Sequence, residues 1–305
     1  MLGTENELLE KGYLIDVPSS STVERHLNWD MSKDEFVKRV DQFVKNFRGT
    51  KIDSFLVNFY LKREQSNTIN QWLSFAIARG VQRIDLLLQG KPYYANDTTQ
   101  LKCYKFDFGL FLETNVSTLK HLCLQHCVVF PPTNRDFILP FKNLRYLSLE
   151  STEVDEMFIE SILSNCLRLE EFCLCFCDLN SSSLKIVSSS LCYLKFIGCY
   201  DLSSRIFGIE VVKVQRYVNL ILLDCLKLIS LEYDGEGLDT LNINTPLLQR
   251  IEVSIFSQED LNAFAALCGT FPELEIMHVT TLSMVATSLE INQPLKHLKE
   301  LNFVK

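Results

Sequence analysis

The side chains best equipped for chemistry in this 305-residue chain are its eleven cysteines. Three of them, Cys173, Cys175 and Cys177, alternate with single residues. Residues two apart on an extended strand share a face, so the three thiols could point together, as a reactive pair or a soft-metal site requires. His121 and Cys123 repeat that spacing, and a Cys–His nucleophile could be imagined from them, but no acid in the motif orients the imidazole. The five histidines (26, 121, 126, 278 and 297) are otherwise scattered. The chain has no GxSxG elbow, no GxxxxGK(S/T) loop and no HExxH pair. Catalysis by this chain alone is not expected, nor is a cofactor or a metal.

The cysteines belong to a larger pattern. One phrase runs Leu119–Cys127 (LKHLCLQHC), Leu144–Thr152 (LRYLSLEST), Leu169–Cys177 (LEEFCLCFC) and Leu191–Cys199 (LCYLKFIGC). Its form is LxxLxLxx(C/T), with starts 25, 25 and 22 residues apart, a leucine-rich-repeat signature. Positions 1, 4 and 6 are expected to point inward, and position 9 (Cys127, Thr152, Cys177, Cys199) to turn in after the strand. There a thiol or hydroxyl can meet backbone at the bend. A structural column of reduced thiols is therefore preferred over a reactive pair or a metal site.

Composition bounds the rest. The net charge is −8 and the pI about 5.3, and no block of five or six basic residues exists, which argues against nucleic acid as the main ligand. No apolar run approaches the ~18–20 residues of a membrane helix. Acidic residues at positions 5, 7 and 10 do not fit a secretory signal. Without secretion the glycosylation patterns at Asn96 and Asn115 carry no meaning, and a cytoplasmic and/or nuclear protein is expected.

The elements that would hold these residues read as an α/β fold. Residues 1–31 are irregular. Ser32 and Glu35 form a capping-box pattern before a helix at 33–47, with Gly49 as its left-handed stop. A strand at 52–61, a helix at 68–79 and Gly80 complete a helix–strand–helix cap over 32–80. The repeat array then runs over 81–305. A short strand is expected around 103–108, an irregular return at Pro131-Pro132, and helical returns at 155–165, 181–189 and 258–267. Later strand phrases begin at Ile209, Leu228, Leu238, Leu248, Leu274 and Leu298; the choice between 228 and 238 as the true repeat strand stays open.

Strands of successive repeats pair about 4.8 Å apart, whereas returning helices are about 10 Å wide. The stack should therefore curve into a horseshoe solenoid with the strands inside and an N-terminal helical cap. Outward positions 3, 5 and 7 line the concave face. Those singled out as protein-binding candidates are Tyr146, Ser148, Glu150, Glu171, Cys173, Cys175, Tyr193 and Lys195. Arg83, Asp85, His121, Val211, Lys213, Gln215, Ser230, Glu232 and Asp234 occupy the same face. Tyrosine is a favoured anchor at interfaces.

The order of helix (FVKRVDQFVKNF, 36–47), strand (KIDSFLVNF, 51–59), helix (INQWLSFAIARG, 69–80) and repeats such as LSNCLRLEEFCL (163–174) resembles the plant F-box/leucine-rich-repeat proteins, including those with a C-terminal FBD region. The resemblance covers roughly residues 32–305. It implies a substrate-recognition role in an SCF-type ubiquitin ligase, the repeats recruiting a protein substrate and an F-box binding the Skp-type adaptor. Where an F-box should precede residue 36, residues 1–31 offer Gly12–Pro18 and Leu27–Trp29, which do not match its LPxxLL-like opening. The adaptor contact is therefore not carried over, and truncation at both ends relative to the family is expected. The alternative is a stand-alone or truncated repeat scaffold that competes with full-length relatives.

Overall fold

The computed structural model describes residues 31–88, 103–112, 118–129, 141–207, 210–235, 237–281 and 295–304. The irregular stretch at 1–30 and the Pro131-Pro132 return lie outside them. The chain divides into two units, 1–144 and 145–305.

In the first unit, α1 (Lys33–Asn46) starts at Ser32, whose hydroxyl accepts from the Glu35 amide at 3.2 Å. Only half of the expected capping box forms, because Glu35 turns to the guanidinium of Arg39 at 2.9 Å. Gly49 is not left-handed. The helix is instead capped by Phe47, and the Phe47 ring lies where a Gly49 side chain would have to go. Strand β1 (Ser54–Asn58) leads to α2 (Ser66–Ile77), which buries Ile69, Trp72, Leu73, Ala76 and Ile77. Phe36 of α1 stacks on Phe59 and meets Trp72 edge-on. The Trp72 indole donates to Asp41 at 2.8 Å, which satisfies the polar end of a buried aromatic. Strands β2 (Arg83–Leu87), β3 (Tyr104–Lys105), β4 (His121–Gln125) and β5 (Cys127–Val129) follow, with a short α3 (Gly109–Leu112) between β3 and β4. β1, β2 and β4 pair in parallel in that order, and β3 pairs with β5.

The second unit carries the parallel sheet that positions the candidate site. Its strands are β6 (Tyr146–Glu150), β8 (Glu171–Cys175), β10 (Tyr193–Ile197), β14 (Ser230–Asp234), β16 (Arg250–Ile255), β17 (Ile276–Thr281) and β18 (Glu300–Val304), paired in that order. The register never slips at equivalent positions: Tyr146, Glu171, Tyr193, Ser230, Arg250, Ile276 and Glu300 form one continuous row. The inward positions of β6, β8, β10 and β14 (Leu147 and Leu149, Phe172 and Leu174, Leu194 and Phe196, Leu231 and Tyr233) are all buried.

Between these strands the chain returns through β7 (Glu153–Val154), α4 (Glu156–Asn165), β9 (Ser183–Val187), a hairpin of β11 (Tyr200–Phe207) and β12 (Glu210–Tyr217), β13 (Asn219–Asp224), β15 (Asn242–Asn244) and α5 (Gln258–Cys268). Three expectations change here. Residues 181–189 are not helical: Leu184 and Ile186 are buried while Lys185 and Val187 are exposed, a period of two that makes β9. The phrase at 209–214 leaves the sheet for the antiparallel hairpin, so Val211, Lys213 and Gln215 are not on the parallel-strand face. The phrase at Leu228 supplies the sheet strand β14, while the one at Leu238 turns through a 3-10 segment into β15, which pairs with β13, itself paired with β9.

Every clear repeat ends its strand the same way. Position 8 is left-handed in all four: His126 at φ 54°, Ser151 at 47°, Phe176 at 54° and Gly198 at 56°. That single reversal drops position 9 into the core. There the Cys127 thiol donates to the Gln125 carbonyl, the Thr152 hydroxyl to the Glu150 carbonyl at 2.9 Å, Cys177 to the Leu149 carbonyl at 3.2 Å and Cys199 to the Leu174 carbonyl at 3.5 Å. The position-9 column is thus a set of backbone tethers. Among the described residues no helix is long and apolar enough to cross a membrane.

At Gly198 the left-handed turn coincides with a close approach, since a Cβ there would sit 2.7 Å from the Phe176 ring. Gly198→Ala is expected to lower stability by about 1–2 kcal/mol, the left-handed penalty of an L-residue, in urea unfolding. An unchanged midpoint would mean that this turn is not left-handed.

Candidate protein-binding face

The unbroken register places outward positions 3, 5 and 7 of each strand in rows across the second unit. Tyr146, Glu171 and Tyr193 share one row; Ser148, Cys173, Lys195 and Glu232 the next; Glu150, Cys175, Ile197 and Asp234 the third. All eight candidate residues therefore lie together on β6, β8 and β10. Pairing in the sheet accounts for this, because parallel strands without bulges bring equal positions side by side.

The polar centre of the face is a residue from a fourth strand. Glu232 of β14 uses both carboxylate oxygens: Oε1 accepts from the Tyr193 hydroxyl at 2.6 Å and Oε2 faces the Lys195 ammonium at 2.7 Å. Tyr193 and Lys195 are two apart on β10, so one carboxylate on the neighbouring strand spans both. Partial burial works against the charge of Glu232, but the hydrogen bonds from Lys195 and Tyr193 outweigh it and hold its carboxyl below the ordinary value. The same bond holds Lys195 above its ordinary value. Burial, then the bond to Glu232, raises the Tyr193 phenol. With its proton committed to Glu232, the Tyr193 hydroxyl is satisfied and the half-buried ring is what remains open.

The Tyr146 hydroxyl works against the burial that raises the Cys173 thiol. Ser148 and Cys173 in the middle row are only 8% and 6% exposed. Burial pushes the Cys173 thiol up to about 11 and that of Cys175 to about 12. Thiols held protonated at neutral pH are poor nucleophiles and poor metal ligands. Among the described residues no group of three or more His, Cys, Asp or Glu side chains is arranged to hold a metal ion. In Cys173-x-Cys175-x-Cys177 the third thiol is a core tether, while Cys173 is buried and Cys175 partly exposed on the outward side.

The first unit has a charged group of its own at the same strand positions. Asp85 of β2 is 3% exposed. It accepts from the Arg83 guanidinium at 2.6 Å and lies 2.9 Å from His121 Nε2 on β4. Burial disfavours its charge, yet the bonds to His121 and Arg83 bring its carboxyl below the ordinary value. His121 thus faces a buried aspartate from the adjacent strand, a neighbour that sequence spacing could not supply; Glu232 was likewise on the face in sequence terms, but its role as a clamp depends on which later phrase joins the sheet.

A comparison with protein families places this architecture. Residues 43–304 match the family described as At1g61320/AtMIF1, LRR domain. The chain belongs to this plant leucine-rich-repeat family. The match spans most of the strands of both units and bears out the repeat reading of the phrases and a mostly parallel α/β fold; it is a match to the repeat domain and not to an F-box or FBD region. No curated protein matches the chain. Domains of leucine-rich repeats are in general non-enzymatic protein-binding modules, which agrees with the thiol chemistry above.

The ion pair carries a pH signature. The folded-state value of Glu232 lies below its unfolded one, so its contribution is full above about pH 4.5 and is lost as pH falls through the lowered value. Lys195 contributes fully below about pH 10.5 and loses its contribution as pH rises through its raised value. The melting midpoints of wild type and Glu232→Gln should therefore differ by a constant amount across neutral pH and converge below pH 4.5. A gap that persists in acid would assign the effect to shape rather than charge.

Proposed function

We propose that the chain is a protein-interaction module that takes up a protein partner on the outward face of its parallel strands, as the substrate-recognition part of an SCF-type ubiquitin-ligase receptor does. The observation that carries this reading is the Tyr193–Glu232–Lys195 clamp, 2.6 and 2.7 Å on its two sides. An aromatic side chain fixed before the partner arrives loses little conformational freedom on binding, and rigid aromatic anchors carry much of the energy of protein interfaces. Membership of a leucine-rich-repeat family supports it further, because such domains bind proteins.

The same reading takes the strand face as the concave side of a horseshoe, with residues 32–80 as its N-terminal cap. Strands about 4.8 Å apart face returns that include helices about 10 Å wide, such as α4 and α5. Residence in the cytoplasm and/or nucleus belongs with this proposal, as does the resemblance to F-box/FBD proteins. Contact with a Skp-type adaptor is a separable part. Its recovery with the chain would support the full receptor role; recovery of a partner alone would favour a repeat scaffold that works without the adaptor.

The test is affinity purification of the full chain and of a Tyr146→Ala/Tyr193→Ala variant, each followed by mass spectrometry. The variant is expected to lose the partner while its melting midpoint moves far less than that of Leu147→Ala. Leu147 is fully buried, and its truncation should cost about 2–5 kcal/mol. Equal recovery of the partner by both chains would move binding off this face. A drop in stability matching that of Leu147→Ala would put the tyrosines in the core.

A further inference from the structure

The third outward row has a different character from the covered middle of the face. In register across β6, β8, β10 and β14 it reads Glu150, Cys175, Ile197, Asp234, and all four are partly exposed. Beyond it lies Phe176, 53% exposed, its ring against Gly198. The strip is therefore apolar in the middle and closed by a carboxylate at each end. Lys195 is engaged by Glu232, and among the described residues neither Glu150 nor Asp234 has an ion-pair partner. The outward positions of all seven strands carry Glu150, Glu171, Glu232, Asp234, Glu252 and Glu300 against Lys195 and Arg250, with His278 beside Glu252 and Glu300.

We infer that this strip docks an extended protein segment bearing two Lys or Arg residues four apart with an apolar residue midway. The inference rests on the strand-face reading above and specifies the chemistry of the partner. Glu150 and Asp234 are three strand steps apart, roughly 14 Å at 4.8 Å per step. In an extended chain residues i, i+2 and i+4 share one face, and i to i+4 spans about 13 Å at 3.3 Å per residue. Two cations at i and i+4 thus reach the two carboxylates, while residue i+2 sits over Cys175, Ile197 and Phe176. The Cys175 thiol stays protonated, so it presents an uncharged surface there. Burial raises the Asp234 carboxyl above its ordinary value, partly offset by Ser254. An arriving cation would favour its charged form. Outward charges of one sign also speed the encounter with a basic partner.

The test uses the full chain and fluorescein-labelled peptides read by fluorescence anisotropy at low and high salt. The probe peptide is Gly-Arg-Ser-Leu-Ser-Arg-Gly, with the same peptide carrying Gln or Glu at both Arg positions as controls. The Arg peptide is expected to bind and to weaken as salt rises, the Gln peptide to bind about tenfold more weakly, and the Glu peptide not to bind. Two surface ion pairs account for a difference of about that size. Glu150→Gln/Asp234→Asn, which keeps the shape of both side chains, should remove the preference of Arg over Gln. Equal binding of the Arg and Gln peptides, no binding of either at low salt, or an unchanged preference in the double variant would overturn the inference. The two readings fail separately. A partner lost with Tyr146→Ala/Tyr193→Ala but indifferent to salt and to Glu150→Gln/Asp234→Asn would sink the basic-segment chemistry and leave the strand-face reading standing; a partner indifferent to the tyrosines would sink the strand-face reading itself.

Discussion

Everything on the face depends on one constraint: parallel strands that pair with no slip in register. A one-residue shift would exchange the buried leucines for the outward polar set on that strand. The chain prevents this at the end of each clear strand with a left-handed residue at position 8, followed by a side chain that hydrogen-bonds to a backbone carbonyl. Cys177 and Cys199 donate to Leu149 and Leu174, carbonyls of the preceding strands. These bonds therefore fix one repeat against the next, not merely the turn in which they occur. The cost of three non-glycine residues in left-handed backbone, of order 1–2 kcal/mol each, is accepted for that alignment.

Much of this was legible in the chain. The LxxLxLxx(C/T) phrase located β4, β6, β8 and β10 and identified their buried positions, because an alternating strand pattern repeated at a fixed interval leaves few alternatives. The same alignment assigns Cys127, Cys177 and Cys199 to one structural column. What could not be read was which short apolar segments join the sheet. Phrases at 209, 228 and 238 share the same local pattern, and the decision among them rests on pairing between distant segments. β12 found an antiparallel partner in β11, and β15 found β13; neither choice is encoded within the phrase itself. Residues 181–189 illustrate the same limit: the Ser-rich flanks hid an alternation only two residues deep.

The candidate face shows a similar division. The outward column of tyrosines and acids followed directly from the strand period, and the register placed it as one surface. Its electrostatic arrangement did not follow. Glu232 becomes the hub because β14 rather than β15 lies beside β10, and its two oxygens then match the spacing of Tyr193 and Lys195. Local sequence contained all three residues and no sign that they meet. The same holds for Asp85, whose burial is tolerated beside Arg83 two residues earlier and His121 on the next strand; removing both partners would leave a buried carboxylate without compensation.

These two features define what kind of surface this is. In the middle of the face Glu232 engages both the Tyr193 hydroxyl and the Lys195 ammonium, so neither group demands a further polar partner. Among the described residues, charge is left uncompensated at Glu150 and Asp234 in the outer row, where solvent still reaches, and at the exposed Glu171 in the first. If the proposed binding reading holds, a surface organised in this way separates its tasks: aromatic contact would supply affinity, and the unpaired carboxylates would select which segment is held and in what register. The protonated thiols between them are part of that design, since a thiolate at Cys175 would add a third negative charge to the site of an apolar contact. Burial keeps it neutral, and the strip keeps its alternation of charge and hydrophobic surface.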